Sequence, residues 1–188
     1  MEAFLYVVLG AALMLGLAWL RSRKLGFLAQ RSPDYSDAGG PRFDLRHHLN
    51  GDIVCEGVIY GPTGRVASRF VGNFRGEWQG NSGRLAEHFT YDSGAEQTRE
   101  WQLSLGNDGR IRALAADVEG EGNGDQSGPT VCLRYKLRLP EDAGGHVLDT
   151  TDWMYLAPNG TIVNRSQFRK FGFKVAELVA VMRRKEIV

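Results

Sequence analysis

Cysteine is scarce, with only Cys55 and Cys132 among 188 residues. That excludes a disulfide framework and a four-cysteine zinc site. Neither charge is in excess, since 23 Lys and Arg stand against 22 Asp and Glu. A dedicated nucleic-acid binder usually carries a clear basic surplus. His47, His48, His88 and His146 show no metal-ligand spacing, so neither metal nor cofactor is expected. No Ser-His-Asp or Cys-His arrangement is visible, so no catalytic residue is assigned, although such groups meet in space rather than in sequence. Gly120-Glu121-Gly122-Asn123-Gly124-Asp125 has neither the context of a dinucleotide loop nor the spacing of a calcium hand, and reads as a mobile turn.

One long apolar run is present. Residues 3–20, AFLYVVLGAALMLGLAWL, carry no charge and, at about 1.5 Å per residue, cover roughly the hydrocarbon core of a bilayer. Residue 2 is Glu, no Lys or Arg precedes the run, and neither an Ala-x-Ala site nor a lipid-accepting Cys lies near it. These features favour an uncleaved anchor over a signal peptide, with residues 1–24 as transmembrane helix and basic flank. Arg21, Arg23 and Lys24 follow the run, with Arg31 further on, and this bias places the rest of the chain in the cytoplasm.

Residues 25–42, with Ser32-Pro33 and Gly39-Gly40-Pro41, read as a linker. Phe43 to Leu49 suits one helical turn ending at Asn50-Gly51. From residue 52 the apolar residues alternate with polar ones, as in Trp101, Leu103 and Leu105 against Glu100, Gln102 and Ser104. Turn signals such as Pro62-Thr63-Gly64, Asn107-Asp108-Gly109 and Pro158-Asn159-Gly160 separate these stretches. The spacing predicts about ten strands: 52–60, 66–79, 84–92, 97–105, 110–118, a weak one, 130–139, 146–156, 161–170 and 173–184, the last of which also suits a helix. Short connections make neighbours antiparallel, and closure removes the edges. The expected fold is all-β, an up-and-down lipocalin-like barrel over residues 43–188 behind one membrane helix. Barrels of this size can hold a ligand.

Several short motifs run in order along the soluble part. They include Gly76-Glu77-Trp78, Arg99-Glu100-Trp101, Ala116-Asp117-Val118, Asp152-Trp153-Met154-Tyr155, Asn164-Arg165-Ser166 and Lys170-Phe171-Gly172-Phe173-Lys174. Over roughly residues 43–184 the chain resembles the bacterial family called domain of unknown function 3833. The resemblance implies a lipocalin-like barrel and no established activity. It also implies kinship with lipoproteins, whose domains lie outside the cytoplasm, and gene neighbours resembling cyclopropane-fatty-acid synthases. An inner-membrane protein with one span is therefore expected. The charge bias favours a cytoplasmic barrel, and the periplasm stays open.

Ligand-binding candidates are Arg99, Trp101, Asp117, Asp152, Trp153, Tyr155 and Arg165. Asp152 is expected opposite Arg165 across the Pro158-Asn159-Gly160 turn, as a structural pair or as a polar contact in a pocket walled by Trp153 and Tyr155. Arg99 and Asp117, with Arg134, form a second polar set. Arg134, Lys136 and Arg138 alternate with Leu133, Tyr135 and Leu137, which favours solvent for the cations. The C-terminal cations Arg183, Arg184 and Lys185, with Arg169, Lys170 and Lys174, read as a solvated face or a contact with anionic lipid. Three functions are weighed: a carrier of a lipid or other apolar molecule that serves a membrane-lipid-modifying enzyme, a lipid isomerase or cyclase using Asp152, Tyr155 and Arg165, and a solid structural subunit. No nucleic-acid partner is expected.

Overall fold

Along Glu96–Leu105 (β4) Trp101, Leu103 and Leu105 are buried while Glu100, Gln102 and Ser104 stay in water. A sheet with one wet face requires this period of two. In the computed structural model, which describes residues 2–185 without the side chains of Ser22, Arg23 and Asp142, this alternation organises most of the sheet. Met1, the Arg23 side chain of the expected basic flank, and residues 186–188 of the expected barrel segment lie outside the described residues.

The strands are β1 (Gly51–Tyr60), β2 (Val66–Gln79), β3 (Ser82–Tyr91), β4, β5 (Arg110–Leu114), β6 (Gly122–Ser127), β7 (Thr130–Arg138), β8 (Val147–Leu156), β9 (Ile162–Lys170) and β10 (Phe173–Arg184). Each pairs antiparallel with its neighbours in sequence, and β1 closes on β10, making the barrel. The fold class is thus a closed ten-stranded antiparallel barrel behind an N-terminal apolar helix. The ambiguous last segment is strand, its Leu178, Ala180 and Met182 facing inward.

Two details differ from the pattern read in the sequence. Strand β5 stops at Leu114 rather than near 118, and the chain leaves the sheet before Val118 bridges Leu137. The glycine-rich stretch is mostly strand β6 rather than a turn. Its inward positions are Gly122 and Gly124, where a Cβ would lie 3.1 Å from Tyr135 Cβ and 2.2 Å from Cys132 O. Close approach of neighbouring chain demands glycine there, so no apolar alternation marks the strand.

A short helix, α2 (Leu45–His48), plugs one end of the barrel. Asp44 caps it by accepting from Arg46 N, and Phe43, Leu45 and Leu49 are buried. Trp78 Nε1 donates to Leu49 O at 2.9 Å, and Leu45 N donates to Gln126 Oε1 at 3.1 Å. Each buried apolar side chain of this plug contributes about 1.5–3 kcal/mol. The turns β1–β2, β3–β4, β7–β8 and β9–β10 mark the opposite end, the mouth.

Residues 25–42 carry two 3-10 turns, Phe27–Ala29 and Ser32–Tyr35, and lie along the outer wall. Phe27 is buried with Cys132 and Trp153, and the Tyr35 ring stands edge-on to Trp153 at 5.5 Å. This strap covers the outward face of β7 and β8, which is why those strands carry apolar residues on both sides. Before it runs α1 (Glu2–Lys24), with no buried residue among those described; its Glu2–Arg21 portion is long and apolar enough to cross a membrane.

Candidate functional site

The barrel interior holds a cavity of about 100 Å³ between the α2 plug and the mouth. Phe74, Phe89, Trp101 and Leu178 supply apolar wall, and Glu87, Arg99, Tyr135 and Asp152 supply polar atoms. A larger open depression of about 700 Å³ shares Phe74, Glu87 and Arg99 with it but is lined mainly by outward-facing residues, among them Asn73, Arg75, His88, Thr98 and Glu100.

Arg99 projects inward because it has the parity of Trp101 and Leu103 on β4. Its Nε and Nη2 both donate to Asp117 Oδ2, at 2.8 and 2.5 Å. Early termination of β5 makes this pair available, since Asp117 lies in the chain that replaces β5 beside β4. Arg99 also stands 5.4 Å from the Trp101 ring centroid, a cation–π contact, and Trp101 meets Tyr135 edge-on at 5.1 Å.

Glu87 lies opposite Arg99 across the β3–β4 ladder. Its Oε2 and the Oδ1 of Asp117 are buried without a hydrogen-bond partner among the described residues. Burial pushes the Glu87 carboxyl up to about 7; Asp152 and Asp117 add to the rise, while Arg99 and a Trp101 hydrogen bond oppose it. Asp152 accepts from Asn164 Nδ2, and from Ser166 Oγ at 2.8 Å. Burial raises its pKa as well, against those two bonds. Burial also raises Tyr135, with help from Asp152.

The structure therefore divides the candidates of the sequence. Arg99, Trp101 and Asp152 line the cavity, and Asp117 joins them through Arg99. Trp153, Tyr155 and Arg165 lie on the outer face, beneath or beside the strap. Trp153 is fully buried there with Nε1 unpartnered among the described residues, and Tyr155 OH donates to Gln30 Oε1 at 2.5 Å. The expected Asp152–Arg165 pair does not form. Asp152 faces Ser166 across the ladder and Trp153 faces Arg165, which bonds Glu177 at 2.6 Å outside. The trio Asp152, Tyr155 and Arg165 is thus split by the barrel wall.

Arg134, Lys136 and Arg138 are exposed, so Arg134 stands apart from the Arg99–Asp117 set. The C-terminal cations also separate. Arg183 bonds Glu56 and Arg184 bonds the plug at His47 O, whereas Arg169, Lys170 and Lys174 sit at the mouth. Cys55 faces the interior and Cys132 the strap, both free and buried, and burial pushes each thiol up to about 12. Among the described residues no group of three His, Cys, Asp or Glu is placed to hold a metal ion.

Sequence reasoning missed Glu87, Asn164 and Ser166. A signal was present for Glu87, which interrupts the apolar face made by Leu85, Phe89 and Tyr91.

Residues 24–184 match the family described as "Protein of unknown function (DUF3833)". The chain belongs to that family. This DUF3833 barrel resembles S-type phycobiliprotein lyase CPES from Guillardia theta at 7% identity and TM-score 0.57, over 85% of this chain and 99% of the other. It resembles Rv2717c from M. tuberculosis at 14% identity and TM-score 0.56, over 74% of this chain and 94% of the other. At such identities the likeness concerns the fold. No curated protein matches the DUF3833 chain.

Proposed function

We propose that this chain is a membrane-anchored barrel that binds an apolar molecule, with the ligand's polar end against Glu87. One observation carries the reading: an apolar cavity lined in part by Glu87, whose Oε2 is buried without a partner among the described residues. The enclosed volume of about 100 Å³ is near the scale of engineered cavities that take up benzene, and below that of whole-ligand pockets. It suits one end of a ligand whose remainder extends toward the mouth. Arg99 Nε and Nη2 serve Asp117, and the buried atoms left unpartnered among the described residues are carboxylate oxygens. They suit a hydroxyl, amine or amide end better than a free carboxylate.

The α1 helix supports anchoring, since its apolar side chains point outward all round and only lipid would cover them. Arg21 and Lys24 favour a cytoplasmic barrel at the inner membrane, with delivery of the ligand to a membrane-lipid-modifying enzyme. Native mass spectrometry of the full chain released from nanodiscs tests binding. An apolar adduct that is lost in Glu87→Leu is expected; ligand-free protein alone counts against the reading. Protease protection in sealed vesicles tests the side.

An acid–base enzyme is the second reading, favoured by the Glu87 carboxyl at about 7 beside the cavity. If Glu87→Gln and Asp152→Asn both leave the cell's lipid profile unchanged, that reading is lost.

A further inference from the structure

Strands β9 and β10 are joined by two residues, Phe171 and Gly172, between the paired Lys170 and Phe173. Both take positive φ, +52° and +82°. A hairpin of this kind calls for Asn-Gly or Asp-Gly. Phe171 is the only non-glycine residue with positive φ among the described residues, and a bulky side chain there is strained. The ring gains no shelter in return. Phe171 is 87% exposed and Phe173 77%, more than any other large apolar side chain among the described residues, those of α1 included.

The surroundings of the two rings are cationic. Lys170 Nζ sits 5.5 Å from the Phe171 ring centroid, Arg169 Nη1 donates to Gly172 O at 2.9 Å, and Lys174 follows. The acids nearby are Glu177, which already bonds Lys174 and Arg165, and Asp149, which lies opposite Arg169. Aromatic rings beside lysines suit the boundary between water and an anionic lipid surface.

The chain keeps this tip within reach of such a surface. Lys24 ends α1, and Phe27, three residues later, lies at most about 11 Å away. The Phe27 ring stands 5.0 Å from the Arg165 guanidinium on β9. From Arg165 the same strand runs about 20 Å to Phe171. One wall of the barrel thus holds the strap and ends in the exposed rings.

We propose that the β9–β10 tip, through Phe171 and Phe173 with Lys170 and Lys174, is a second membrane contact that turns the mouth of the barrel toward an anionic bilayer. The inference rests on the membrane anchoring proposed above. A ligand would then pass between lipid and cavity at the mouth rather than through bulk water.

The test uses the full chain in vesicles of phosphatidylcholine and phosphatidylglycerol doped with a diazirine lipid, followed by peptide mapping of the crosslinks. Crosslinks on both the α1 peptide and the peptide spanning 170–174 are expected. The doubly substituted Phe171→Asn, Phe173→Ser chain should lose the tip crosslinks about fivefold or more while those of α1 persist. Crosslinks on α1 alone, or tip crosslinks that survive the double substitution, would overturn the tip contact and leave the anchor standing. Absence of crosslinks on α1 would remove the anchor and this inference with it. A tip captured equally well in vesicles of zwitterionic lipid at high salt would overturn the part given to the lysines.

Discussion

Glu87 and Arg99 face each other across β3 and β4 inside the barrel, yet Arg99 donates to Asp117 and leaves Glu87 Oε2 buried without a partner among the described residues. An acid placed so holds its proton more tightly folded than unfolded. The Glu87 carboxyl titrates near 7 in the barrel against an ordinary 4.5. Its contribution is complete below about pH 4.5 and is lost as pH rises through about 7, because the unfolded chain then binds fewer protons. Asp44, bonded by Arg46, and Glu177, where Lys174 and Arg165 outweigh burial, are held low and slope the other way. Subtracting a Glu87→Gln background isolates the effect. Urea unfolding of the full chain in detergent should show wild type losing about 3 kcal/mol relative to Glu87→Gln between pH 4.5 and 8. A constant difference would mean that Glu87 titrates normally.

The same register explains what could be read from the chain and what could not. Strands with apolar residues on one parity, such as β4, were legible from alternation alone. Strand β6 was not, because its inward positions are Gly122 and Gly124. The Asp152–Arg165 pairing failed by a single residue. Leu156 pairs with Ile162, and Ala157 N donates to Thr161 O across a five-residue turn, so Asp152 meets Ser166. A slip of one sends a side chain through the wall. Trp153 and Tyr155 misled for a related reason: the strap makes the outer face of β8 a second core, and period-2 reading cannot tell two apolar coverings apart.

The strap gives a thiol readout. Phe27, Cys132 and Trp153 form one buried cluster outside the barrel, whereas Cys55 belongs to the interior core. Phe27→Ala removes the ring that closes the outer cluster, a loss of about 3 kcal/mol. Local opening should speed maleimide labelling of Cys132 about 30-fold or more, with Cys55 labelling unchanged. Equal acceleration at both thiols would instead mean that the whole barrel had loosened.

The plug depends on a missing side chain. A Cβ on Gly76 would lie 2.0 Å from Leu49 O, the atom that also accepts from Trp78 Nε1. Backbone must move to admit it, so Gly76→Ala should cost about 3 kcal/mol in urea unfolding. Gly61 has nothing nearer than 3.9 Å, and Gly61→Ala should stay within about 0.5 kcal/mol of wild type. Equal effects at the two sites would show that α2 does not bear on the wall at Gly76.

Adjacent positions in the β9–β10 turn should respond with opposite sign. Phe171, at φ +52°, carries a bulky ring where an asparagine fits with less strain, and its ring is almost wholly exposed. Phe171→Asn gives up little packing and relieves about 1 kcal/mol, which for a domain of this size raises Tm by about 2–4 °C. Gly172, at φ +82°, already has the residue that its conformation favours. Gly172→Ala should lower Tm by a similar amount. Differential scanning of the full chain in detergent distinguishes the two. A fall in Tm for Phe171→Asn would mean that the ring supports the fold, and the strain at Phe171 would then need no lipid to account for it.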